Sequence, residues 1–117
     1  MNLAFYYQYC INKKGVTEHF PFDKDVLVFK VGNKMFALSS LKSWEANQPK
    51  INLKCDPEYA VELRENYQGI TPGYHMSKKH WNTLEVNSLE GKLIIELIDQ
   101  SYDLVVQSLP KNVKNNL

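Results

Sequence analysis

The sequence predicts an α+β fold, a two-layer sandwich with helices packed on one face of an antiparallel sheet. Three observations predict it. Apolar residues recur at helical spacing near both ends of the chain, and period-two alternation lies between them. Gly32 and Asn33 separate two strand-like runs, the mark of a tight hairpin. At 117 residues, 44% hydrophobic and 23% charged, the chain has material for one core and not two.

The first helix is predicted over Leu3–Ile11. Asn2 is placed to cap it, because its side-chain oxygen can accept from a free amide of the first turn. Leu3, Tyr6 and Cys10 share one face, which makes Cys10 a small core residue. Gly15 follows the basic pair Lys13 and Lys14 as the stop. Val26–Val31 is apolar and β-branched, and Lys34–Ser40 is its return strand. Lys50–Cys55 alternates strictly, with Ile51, Leu53 and Cys55 on one face and Lys50, Asn52 and Lys54 on the other.

Asp56 then caps a second helix, with Pro57 in the first position and Glu58 at the positive dipole end; Gly69 is its expected stop. Pro72 and Gly73 mark a turn or the start of a strand. His80–Val86 alternates again, with Trp81, Thr83 and Glu85 opposite Leu84 and Val86. Asn82 falls on the apolar face by parity, an inconsistency that a bulge or a strand start would explain. Asn87 and Glu90 have capping-box spacing ahead of the longest helix, whose stripe includes Leu93, Ile94, Leu97, Ile98 and Val105. Pro110 stops it. Residues 1–110 are the expected single domain, and 111–117 a flexible tail.

Composition excludes several classes. No run approaches the roughly 18 apolar residues of a membrane span, and the N-terminus lacks a signal-peptide pattern. Two cysteines make no disulfide framework, so a reduced, cytoplasmic setting is expected. A net charge of +1 excludes a strongly basic nucleic-acid coat protein. The charge is nonetheless segregated: residues 26–55 hold five lysines against Glu45 alone, whereas residues 56–66 hold four carboxylates against Arg64. His75 and His80 lack the further ligands of a zinc site. Cys55, at a strand end before a helix cap, reads as structural rather than nucleophilic. The glycines never form a phosphate loop. No enzyme, metal or cofactor is expected.

If the helices cover one face, Lys50, Asn52, Lys54, Trp81 and Thr83 are expected on the face left to solvent. Beside them, residues 74–82 pack two lysines, two histidines and two aromatics into nine positions. This chemistry suits nucleic acid: ammonium groups replace phosphate counterions, an exposed indole stacks, and an asparagine reads a base edge. The candidate DNA-binding residues are Lys50, Lys54, His75, Lys78, Lys79, His80, Trp81 and Asn82. The alternative is a non-catalytic protein- or small-ligand-binding module using the same face. No residue demands an oligomer, so a monomer is expected.

These segments resemble the MmcQ/YjbR family of small bacterial proteins. The likeness runs through Phe20–Phe22, Val28–Val31, Gly32–Leu38, Ile51–Pro57 and Leu97–Val105, and is most specific over Gly69–Thr83. It covers about residues 1–110. The resemblance implies a CyaY-like fold of helices on an antiparallel sheet, DNA binding, no known catalytic activity and no cofactor. The family motif residues carried onto this chain are Lys54, Pro72, Gly73, Tyr74, His75, Lys79, His80, Trp81, Asn82, Ser101 and Tyr102. Of these, Pro72 and Gly73 are read as shaping a turn, and Ser101 and Tyr102 as packing the last helix on the sheet.

Overall fold

The protein, described over residues 1–117 by a computed structural model, is built on one six-stranded antiparallel sheet. Its elements in order are α1 (Leu3–Ile11), β1 (Val16–His19), β2 (Val26–Val31), β3 (Lys34–Ser40), α2 (Leu41–Glu45), β4 (Lys50–Lys54), α3 (Pro57–Asn66), β5 (Ile70–Pro72), β6 (Trp81–Glu85), α4 (Gly91–Ser108) and α5 (Lys111–Asn115). The strand order is β1-β2-β3-β4-β6-β5. The α+β class read from the sequence is the observed one. No helix is long and apolar enough to cross a membrane.

One face carries the main core. Tyr6 and Cys10 of α1, Ala60 and Leu63 of α3, and Ile94, Leu97, Ile98 and Val105 of α4 pack on Leu27, Phe29, Ile51, Leu53 and Leu84 of the sheet. Asp99 of α4 fastens the end of α1: its carboxylate accepts from Tyr9 Oη at 2.6 Å and Lys13 Nζ at 2.5 Å. Asn2 caps α1 and Asp56 caps α3, each accepting a backbone amide three residues on.

The β2–β3 hairpin closes through Gly32 (φ 56°) and Asn33 (φ 65°). A two-residue turn needs positive φ at both positions to match the strand twist. A side chain on Gly32 would also stand 2.5 Å from Leu109 Cδ1, so the turn tucks under the end of α4. Along the hairpin Phe29 pairs with Ala37 but Lys30 with Met35, so Phe36 is an inserted residue. The bulge turns both Phe36 and Ala37 toward the helices. Ser101 Oγ donates to the Phe36 carbonyl at 2.6 Å and accepts from the Lys54 amide at 2.9 Å. That places Ser101, fully buried, as the link between α4 and the two central strands.

Several elements differ from the sequence expectation. The edge strand β1 and the short helix α2 were not anticipated: Val16–His19 has one apolar residue, and five residues are too few to show a helical period. The helix α3 ends at Asn66, not at Gly69. Gly69 instead lies where the chain meets the turn at Val86–Ser88; a Cβ there would stand 2.9 Å from Ser88 Cβ, and its carbonyl accepts from the Glu85 amide at 2.8 Å. The Asn87–Glu90 capping box does not form. Glu90 is itself the N-cap of α4, with no side-chain cap bond, and Asn87 Nδ2 donates to the Asn47 carbonyl at 2.8 Å. Residues 111–115 are helical rather than frayed, and Leu117 packs against the main core beside Gly15.

Candidate binding surface

Registry decides which side chains reach the second face. On β4, Lys50, Asn52 and Lys54 pair with Glu85, Thr83 and Trp81 of β6. All six side chains point away from the main core, as the alternation predicts. That face is not open to solvent. Val28, Leu38 and Trp81 form a second buried cluster on it, with Val26, Met35 and Met76 packed around them. Met76 comes from the β5–β6 loop, which folds back over the sheet. The loop is held by Tyr74 N, which donates to Thr83 Oγ1 at 3.2 Å, while Thr83 Oγ1 donates to Asn52 Oδ1 at 2.5 Å. Gly73 lets the backbone approach: its amide donates to the Trp81 carbonyl at 2.8 Å, and a Cβ there would lie 2.8 Å from that of Trp81.

The candidate residues divide on this geometry. Lys50, His75, Lys78, Lys79 and His80 are exposed, and Lys54 is half-buried. None of the four lysines has a carboxylate oxygen within 4.0 Å, since the molecule's one ion pair joins Lys13 to Asp99. Lys78, Lys79 and His80 sit at the end of the sheet where β4 finishes, because the Cys55 amide donates to the His80 carbonyl at 2.8 Å. Lys50 stands toward the opposite end of β4, about 13 Å away along the strand.

Two assignments are corrected. Trp81 is 8% exposed and packed on Val28 and Leu38, so its indole is not a free stacking platform. Asn82 is 1% exposed and faces the helices. Its Oδ1 accepts from Arg64 Nη1 at 2.8 Å and its Nδ2 donates to the Ala60 carbonyl at 3.3 Å. The register through Asn82 is regular, so neither a bulge nor a strand start explains its parity. Hydrogen bonds to α3 satisfy a polar side chain inside the core.

Between the loop and residues 22–26 the second face leaves a groove of about 730 Å³. Val26, Met35 and Leu38 line it, Phe22 and Tyr74 rim it, and Lys50 and Asn52 reach it from β4. Sequence reasoning missed Phe22, Val26 and Met35. The signal was the unbroken apolar run Met35–Leu38, which marks a strand covered on both faces. Cys55 is buried, and burial pushes its thiol up to about 11, so the thiolate is scarce at neutral pH.

A mixed helix-and-sheet domain with a loop-covered second face is the class these features define. The chain belongs to the YjbR family, whose model matches residues 11–104. It is 41% identical over 92 residues to the uncharacterized protein YbdF of Escherichia coli, spanning 78% of this chain and 73% of that one. It is 33% identical over 118 residues to the uncharacterized protein YjbR of Escherichia coli, spanning 100% and 98%. The crystal structure of Deinococcus radiodurans protein DR2400, a DUF419 domain, matches with a TM-score of 0.91 at 34% identity over 98% of this chain and 86% of that one. A Pseudomonas syringae protein matches at 0.75 and 32% identity over 90% and 99%.

Proposed function

We propose that this protein is a non-catalytic module that binds nucleic acid weakly through phosphate contacts from Lys50, Lys54, Lys78 and Lys79. The observation that carries the reading is that these four ammonium groups lack carboxylate partners, Lys50 and Lys54 on the second face of β4 and Lys78 and Lys79 in the loop at the end of that strand. Unpaired cations can exchange their counterions for phosphates at no cost in broken ion pairs. With Trp81 and Asn82 buried, the aromatic left for stacking is Tyr74, 73% exposed. The base-edge reader expected from the sequence, Asn82, is buried, and phosphate contacts carry no sequence information, so the binding is largely sequence-tolerant. The low net charge of +1 and the acidic arc of α3 keep the affinity modest.

The test is fluorescence anisotropy of labelled single-stranded and duplex DNA at about 50 and 200 mM salt. Three or four phosphate contacts lower the affinity by about 40- to 150-fold for duplex and about 20- to 50-fold for single strands between those conditions. The double variant Lys78→Glu, Lys79→Glu abolishes the binding. No binding at the lower salt, or unchanged binding by the double variant, overturns the proposal.

A further inference from the structure

We propose that the groove on the second face is a site for a small aromatic anion, a flat apolar ring system carrying one carboxylate. The site shares Lys50 and Tyr74 with the nucleic-acid reading but involves neither of the loop lysines Lys78 and Lys79.

Size comes first. At about 730 Å³ the groove lies within the range of roughly 300–1,000 Å³ typical of small-molecule sites. Its apolar part suits a flat ring. Val26, Met35 and Leu38 from the central strands make the floor, and methionine adapts its shape and its sulfur to aromatic faces. Phe22 and Tyr74 flank the floor from the β2 side and the β6 side, and are 62% and 73% exposed. Tyr74 packs one side of its ring on His75, with centroids 4.0 Å apart, and exposed aromatic rings on two sides of an apolar floor lose water contact when a planar ligand lies between them.

The polar end is rich in donors. Lys50 carries an ammonium group with no ion pair, although Glu85 is its register partner. Asn52 uses Oδ1 to accept from Thr83, which leaves both hydrogens of its Nδ2 free to donate. Of the nearby carboxylates, Glu85 makes no side-chain hydrogen bond or ion pair, whereas Asp23, which lines the groove, and Asp25 accept local donors. Asp23 accepts the amides of Asp25 and Val26 at 2.9 and 2.8 Å. Asp25 accepts Ser40 Oγ at 2.6 Å and the Lys42 amide at 2.8 Å. One unpaired lysine beside an amide donor matches a single carboxylate better than a polyphosphate. His75, on the loop at the rim, takes a left-handed conformation at φ 58°.

The experiment is an amide-resolved NMR titration of the full chain with naphthoate, and in parallel with the neutral naphthylmethanol. Naphthoate is expected to shift the amides of Met35, Leu38, Asn52 and Thr83. Lys50→Gln weakens naphthoate by about tenfold, the loss of one charge-assisted hydrogen bond, and leaves naphthylmethanol within about twofold. Tyr74→Ala, at an exposed position where the fold is not at risk, weakens both compounds by about three- to tenfold. The double variant Lys78→Glu, Lys79→Glu leaves naphthoate binding unchanged while it abolishes DNA binding, which separates failure of this site from failure of the nucleic-acid reading. Absence of shifts at the groove amides with millimolar naphthoate overturns the proposal. So does scatter of the shifts over the whole surface, or equal loss of both compounds in Lys50→Gln.

Discussion

Ser101 and Asn82 are polar side chains placed inside an apolar core, and both are satisfied there. Ser101 bonds a carbonyl left over by the β-bulge and an amide at the end of β4. Replacing it with alanine leaves both backbone groups buried without a partner, so Ser101→Ala is expected to cost about 1–3 kcal/mol in urea unfolding. Asn82→Ala removes the shorter of two acceptors from Arg64 Nη1, which keeps its 3.3 Å bond to the Lys78 carbonyl, and a donor from the Ala60 carbonyl, at a cost of about 1 kcal/mol, yet leaves the salt dependence of any DNA binding unchanged because Asn82 never reaches the surface. Asp25 supplies a pH dependence. The Ser40 hydroxyl and then the Lys42 amide hold its carboxyl below the usual range. A depressed folded value means that its stabilisation is full above the unfolded value, about 3.9, and is lost as pH falls through the lower folded value. The gap in urea midpoint between the native chain and Asp25→Asn is therefore widest at neutral pH and closes in acid; a gap that widened in acid would contradict this.

At the scale of elements, the β2–β3 hairpin depends on a turn that does two things at once. Gly32 takes positive φ and passes within contact distance of Leu109. Gly32→Ala meets both obstacles, and is expected to destabilise by more than about 1 kcal/mol, with the loss seen in thermal melting. The β5–β6 loop is the other informative element. In sequence it reads as one basic and aromatic binding segment. In the fold its first half, Tyr74–Ser77, lies over the second sheet face and its second half, Lys78–His80, caps the sheet end. Period-two alternation cannot report this, because both halves are polar and exposed while only Met76 inserts.

For the whole molecule, charge is separated without being paired. Only Lys13 and Asp99 form an ion pair, so the exposed lysines contribute little to stability and are free for ligands. The double variant Lys78→Glu, Lys79→Glu is accordingly expected to stay within about 0.5 kcal/mol of the native chain in unfolding while its DNA binding is lost. The helices α1, α3 and α4, the hairpin, the strand β4 and the assignment of Lys50, Asn52 and Lys54 to one face were legible in the sequence, because periodicity and capping are local and the alternation along one strand fixes its faces. The burial of Trp81 and Asn82, the groove and the division of the basic loop were decided only in three dimensions. Each depends on what another segment places against that face: α3 offers Arg64 to Asn82, Met76 closes over Trp81, and Phe22 and Tyr74 line one groove from loops far apart in the chain. Local sequence sets which way a side chain points; the packing of distant segments sets whether it meets water, a partner or a ligand when it gets there.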